Sequence, residues 1–231
     1  PPSASSAVVE SLAELAPSRL SEANALCQAG HWQEAQALYG QICAAQGSSA
    51  ILHNNWGVVL QKLRRFTEAL DSFDLAIRLD PHYVSPHLNK AMCLLSLGQF
   101  EEGWRLYEWR WQNAQWASSR RHFPQPLWLG DAGIAGIADI ADIAGKRLLV
   151  YAEQGLGDTL QFCRYLFLLH EAGVRLTFEV PASLVALLSC LPVTLRTAET
   201  HDAQAADDID YQCPLLSLPL AMKTRLESIP L

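Results

Sequence analysis

Apolar residues recur at helical spacing through the first half of the chain, then give way to short unbroken apolar runs after residue 145. Within the helical half the pattern returns at a shift of 34 residues. A turn column reads Gly30, Arg64, Gly98, and two residues on an aromatic column reads Trp32, Phe66, Phe100. A small-residue column (Ala35, Ala69, Gly103) and a second aromatic column (Tyr39, Phe73, Tyr107) follow on the second helix. The first helix carries its own small column, Ala23, Gly57, Ala91. The spacing predicts three antiparallel helix pairs over 16–49, 50–83 and 84–117, behind a lead-in at 1–15.

Small residues at a helix crossing let two backbones approach, and the aromatic columns then fill the wedge between successive pairs. Pro81 ends the second helix of unit two, because proline cannot continue the hydrogen-bond ladder, and Gly47 takes that slot in unit one. Asn55-Trp56-Gly57 with Leu79-Asp80-Pro81 is the best-matched copy of a pattern that closely resembles the tetratricopeptide (TPR) repeat. Stacked pairs of this kind curve and leave the first helices on a concave face. That face is expected to show Ser21, Glu22, Asn55, Val58, Lys62, Asn89 and Met92. Asn55 and Asn89 occupy one repeat position. The resemblance to TPR proteins of the O-linked glycosyltransferase type implies an asparagine ladder there that grips a peptide backbone. An amide both donates and accepts, which suits sequence-independent holding of an extended chain. Asn55, Lys62 and Asn89 are therefore the candidate peptide-binding residues. The alternative is that each asparagine only satisfies neighbouring helix ends.

Five of the seven tryptophans fall between Trp104 and Trp128, which marks a join and not a uniform core. Unit three has Gln115 in place of a terminating proline, so its second helix is expected to run to about Ser118. The tryptophans there are read as packing against a cap or a following domain, with a stacking platform for sugar or aromatic ligands as the alternative. Residues 119–145 read as a linker. Their Gly130–Gly145 part is a low-complexity run of Ala, Ile, Gly and Asp with some helical character.

From Lys146 the pattern is α/β. Arg147–Ala152 is suited to a buried parallel strand, and a glycine loop, Glu153-Gln154-Gly155-Leu156-Gly157-Asp158, follows it. A helix is expected over Thr159–Glu171, stopped at Gly173. Next come a strand over Val174–Val180, a helix from Pro181-Ala182-Ser183 to Leu188, and a weaker strand over Val193–Thr197. A further strand includes Tyr211-Gln212-Cys213, after an acidic loop at Asp207-Asp208. Alternating strands and helices predict a Rossmann-like parallel sheet over 146–231. Glu179, near the end of the second strand, is placed where a dinucleotide ribose would need an acid. However, the G-x-G-x-x-G fingerprint fails at Leu160, and an acidic helix start repels a pyrophosphate.

The segment Gly145–Val150 followed by Glu153–Tyr165 resembles bacterial TPR proteins fused to a heptosyltransferase-like glycosyltransferase domain of the two-lobed GT-B fold. Trp104–Trp111 and Pro126-Leu127-Trp128-Leu129-Gly130 share in the resemblance. The implied fold is a TPR α-solenoid of three helix pairs followed by a parallel α/β lobe like the N-terminal half of GT-B. The family's Leu-Gly-Asp falls on Leu156-Gly157-Asp158, which implies Asp158 as general base toward an acceptor hydroxyl; the bland reading is a helix cap. Glu153, Gln154, Gly155, Gly157, Gln161 and Arg164 are the matching acceptor-loop candidates. The nucleotide-sugar donor is expected only with a second lobe of roughly 150 residues, so no cofactor is assigned to this chain. The chain is expected to be a fragment, inactive as a transferase alone. The competing expectation is a non-enzymatic adaptor whose α/β lobe is a cap or a partner site.

Composition narrows the partners. The formal charge is −7 and neither half is basic, so nucleic acid finds no electrostatic footprint. No apolar run reaches the length of a membrane span, and Pro1-Pro2-Ser3 has no signal-peptide character. Cys27, Cys43, Cys93, Cys163, Cys190 and Cys213 form no C-x-x-C pair and read as free thiols, with no metal site, in a cytoplasmic protein. The expected partner is a protein or peptide in the concave groove.

Overall fold

The structure is a computed structural model and describes residues 19–46, 49–117, 120–121, 123–130, 140–197 and 208–230. The lead-in at 1–15, Gly47, Ser118, Asp207, Leu231 and residues 131–139 of the low-complexity run lie outside them. The chain divides into two compact units, one ending at Leu97 and one beginning at Gly98.

The first unit is helical. A helix over 19–28 (α1) is followed by α2 (Trp32–Gln46), α3 (Ala50–Lys62), α4 (Phe66–Leu79) and α5 (Val84–Ser96). Ser49 caps α3, its hydroxyl accepting from Leu52 N at 3.2 Å. The turn column explains itself in backbone terms. Gly30, Arg64 and Gly98 stand at φ +80°, +62° and +75°, the left-handed conformation that ends one helix and releases the next. The small column is equally physical. A Cβ on Gly57 would come within 2.5 Å of the Phe73 ring, so α3 and α4 can meet at this distance only through a glycine. Ala23, Ala35, Tyr39, Ile42, Leu52 and Val59 form one buried cluster, and Leu60, Ala69, Phe73 and Cys93 a second. Phe73 is fully buried, a contribution on the order of 2–3 kcal/mol.

The second unit opens with α6 (Phe100–Tyr107), continues through a 3-10 turn at Glu108–Gln112 and ends its helical run in α7 (Ala114–Ala117). The continuous helix expected to Ser118 is thus broken after Tyr107. The break turns Arg110 and Trp111 inward, where both are buried. Four parallel strands form the sheet, β1 (Arg147–Tyr151), β2 (Arg175–Glu179), β3 (Thr194–Arg196) and β4 (Tyr211–Pro214), in the order β3-β2-β1-β4. Their apolar runs are buried as a doubly covered sheet requires: Leu148, Leu149, Val150 and Tyr151 are all inside. After β1 the expected single helix is two, α8 (Leu156–Phe162) and α9 (Tyr165–Glu171), separated at Cys163-Arg164. The segment α10 (Val185–Leu188) follows β2, and α11 (Leu218–Ala221) follows β4. Part of the expected linker is sheet. Trp128 N donates to Gln212 O at 2.8 Å and Gln212 N to Pro126 O at 3.0 Å, so Leu127 bridges β4 in parallel. Trp128 is fully buried.

Candidate functional site

On the first unit, α1, α3 and α5 bring four asparagines into one hydrogen-bonded chain. Tyr39 Oη donates to Asn24 Oδ1 at 2.5 Å, and Asn55 Nδ2 donates to the same oxygen at 3.3 Å. Asn55 Oδ1 accepts from Asn54 Nδ2 at 3.1 Å, and Asn54 Oδ1 accepts from Asn89 Nδ2 at 2.9 Å. The chain crosses three successive first helices. Asn54 is buried and Asn24, Asn55 and Asn89 are half-buried. Burial pushes the Tyr39 hydroxyl well above its ordinary value, so it remains a donor. Asn55 and Asn89 were legible as a repeat column. Asn24 and Asn54 fall outside that column, and only their shared amide chemistry hinted at a link.

The chain fixes each amide's orientation yet leaves capacity unspent. Asn89 keeps its carbonyl oxygen and one N–H free of the chain. Lys62 is exposed in the last turn of α3, and Met92 on α5 is half exposed. Lys90 is held by Asp74 at 2.8 Å, so it does not add a free cation to this unit.

In the second unit, the glycine loop after β1 is split between inside and outside. Glu153 is buried, its Oε1 3.3 Å from Arg110 Nη2 and accepting from Leu216 N at 3.2 Å. Arg110, itself fully buried, also reaches Ser217 Oγ at 2.6 Å and Glu108 Oε1 at 2.5 Å. Its guanidinium lies 4.4 Å from the Trp111 ring and 5.0 Å from the Tyr107 ring. Burial drives the Glu153 carboxyl up to about 7, against the opposing pull of Arg110. Strand order reverses between β1 and β4, the crevice where open parallel sheets ordinarily admit ligands. Here Glu153 and Ser217, which follow those two strands, meet Arg110 in that place. Gln154 is likewise engaged, its Nε2 2.9 Å from Tyr107 Oη.

What remains at the surface is Gly155, Gly157, Asp158 and Gln161. Asp158 sits in the first turn of α8, half-buried, and makes no hydrogen bond or ion pair among the described residues. Arg164 is anchored by Nε to Gln161 O at 2.8 Å and by Nη1 to Pro230 O at 3.0 Å. Glu179, weighed above as a ribose ligand, faces Arg121 with one oxygen and Arg196 with the other, each at 3.1 Å. Those ion pairs occupy the atoms a ribose would need. Among the described residues no group of three or more His, Cys, Asp or Glu side chains could hold a metal ion. None of the described helices is long and apolar enough to cross a membrane.

Comparison with known proteins agrees with the helical pairs. Residues 20–84 match the tetratricopeptide repeat family model. Protein FlbA of Caulobacter vibrioides is 26% identical over 179 residues, 62% of this chain and 28% of that protein. DnaJ homolog subfamily C member 7 of Mus musculus is 31% identical over 91 residues, 38% of this chain and 18% of that protein. The chain thus matches under a third of either relative's length. Among solved structures, the second TPR of Spaghetti (RPAP3) bound to the HSP90 peptide SRMEEVD is 24% identical, covering 44% of this chain and 94% of that one at a TM-score of 0.41. The TPR2B domain of yeast Sti1 in complex with an Hsp70 peptide is 21% identical, with 45% and 84% coverage and a TM-score of 0.42. The N-terminal helix pairs are TPR repeats, and a small parallel four-stranded sheet with helices follows them.

Proposed function

We propose that the chain is a peptide-holding TPR scaffold joined to a lobe of glycosyltransferase type. The observation that carries the scaffold reading is the amide chain from Asn24 to Asn89. It orients half-buried donors and acceptors across three helices without using all of them. Such a row suits the repeating N–H and C=O groups of an extended backbone, and it makes little demand on side chains. The test is a titration of the whole chain against an array of unrelated fluorescent peptides of equal length. Binding is expected to vary little with sequence. The Asn55→Ala/Asn89→Ala pair should weaken it about tenfold, the worth of one or two hydrogen bonds. Undiminished affinity in that variant, with the helical signal intact, overturns the reading.

For the second unit, the unpaired state of Asp158 favours a catalytic reading over a capping one. As general base it would take the proton of an acceptor hydroxyl as the glycosyl bond forms, flanked by Gly155, Gly157 and Gln161. A nucleotide-sugar donor belongs to a second lobe in this reading, as in the GT-B arrangement. In a protein that also carries the second lobe, Asp158→Asn should abolish transfer while leaving the unfolding temperature unchanged. Turnover that survives the substitution removes Asp158 from the chemistry and leaves the lobe as a cap or partner site, as an adaptor requires. Glu153, Gln154 and Arg164 support the loop from behind, through the contacts that hold them.

A further inference from the structure

We infer that the groove around Trp104 binds a small aromatic carboxylate. Trp104, on α6, lines two cavities of the second unit, one of about 180 Å³ and one of about 420 Å³. The larger has an apolar lining of Phe100, Trp104, Pro219 and Leu220. The indole stands edge-on to Tyr107 and to Phe162, each at 5.7 Å, and Phe162 stacks on Tyr165 at 6.1 Å and 10°. Rings that brace one another hold the indole in one orientation, so little freedom is lost when a flat ligand packs against it.

Charge sets the class of ligand. The two cavities carry Glu101 against Arg105, Arg164, Lys223 and Arg225. That is a basic patch on a chain whose formal charge is −7. Glu102 and Glu227 belong to the open groove that adjoins the larger cavity, and they line neither of the two. Arg164 is committed through two of its nitrogens to backbone carbonyls. The guanidiniums of Arg105 and Arg225 make no ion pair among the described residues, and neither does Glu101. Two unpaired cations beside one unpaired acid leave room for a single negative charge, and a guanidinium fork matches the two oxygens of a carboxylate.

The backbone holds these cations in place. Arg105 stands in the last turn of α6. Arg225 N donates to Ser228 Oγ at 2.8 Å, and Ser228 N donates to Arg225 O at 3.1 Å. Lys223 adopts a left-handed φ of +48°, where glycine would fit with less strain, so the turn carries a lysine against the preference of its own backbone. The inference goes beyond peptide holding and does not depend on the role of Asp158, which lines neither cavity.

Saturation-transfer NMR titrations of the whole chain test it, with 2-naphthoate and its uncharged isostere 2-naphthamide as probes. Transfer to the ring protons of naphthoate is expected, and naphthamide should bind about tenfold more weakly or worse. Arg105→Gln and Arg225→Gln, both at exposed positions, should each weaken naphthoate about tenfold, the worth of one charge-assisted hydrogen bond. Arg78→Gln removes the same charge from an exposed position on α4 and should leave binding unchanged. No transfer to naphthoate overturns the inference. Equal binding of naphthamide also overturns it, since the site would then read apolar surface alone. So does binding indifferent to both Arg105→Gln and Arg225→Gln. An equal loss in Arg78→Gln would overturn it as well, by reducing the attraction to net charge.

Discussion

Arg110 Nη2 lies 3.3 Å from Glu153 Oε1, a buried ion pair that joins the turn after α6 to the loop after β1. Neither charge has water to fall back on. Arg110→Met should cost about 3–5 kcal/mol, because Glu153 and Glu108 lose their shared cation. Arg110→Met combined with Glu153→Leu should cost less than the sum of the two single changes. Urea unfolding of the three variants measures that coupling, and strict additivity would show the pair to be independent.

The burial of Glu153, only partly opposed by Arg110, makes stability depend on pH. The carboxyl of Glu153 titrates near 7 when folded against an ordinary 4.5. The folded state therefore holds the proton more tightly than the unfolded chain. Its stabilising contribution is complete below about pH 4.5 and declines as pH rises to about 7, where both states are ionised. Unfolding free energies measured across that window should fall with pH in the native chain. Glu153→Gln should flatten this component; an unchanged slope would assign the dependence elsewhere.

Arg64 occupies a turn position at φ +62° where its two counterparts are glycine. A side chain there costs roughly 1–2 kcal/mol, offset in part by the extra freedom that glycine has when unfolded. Arg64→Gly should raise stability by up to about 1 kcal/mol, read as a higher urea midpoint at constant slope. A lower midpoint would mean that the arginine side chain contributes more than its backbone costs.

Gly57 should tolerate nothing larger. Alanine is the better helix former by about 1 kcal/mol, but its methyl would meet the fully buried Phe73 ring at 2.5 Å. Overpacking of this kind costs about 1–3 kcal/mol. Gly57→Ala is therefore expected to be destabilising, with Gly57→Ala/Phe73→Leu recovering part of the loss in thermal unfolding.

The repeat was legible because its causes are local. A left-handed turn, a close crossing and an aromatic wedge each leave a residue type at a fixed offset, as Gly30, Gly57 and Phe73 do. The strands were legible too, since buried parallel strands are short apolar runs. What escaped the pattern depends on partners distant in the chain. Arg110 sits in an ordinary-looking amphipathic stretch, and only its meeting with Glu153 and Ser217 accounts for the break after Tyr107. Leu127 reads as linker until β4 lies beside it. Asn54 is invisible to a column search because its counterparts, Leu20 and Leu88, are apolar.

That last mismatch bears on how such an array can change over generations. Asn55 finds its partner in Asn24, whereas Asn89, at the equivalent position, finds Asn54. Each junction has its own private pairing. A duplicated copy of the second helix pair, inserted after the original, would bring its first-helix asparagine opposite Val58, which has nothing to offer an amide. The array is therefore not a stack of interchangeable bricks, and growth by tandem copying would need a compensating polar substitution at every new seam.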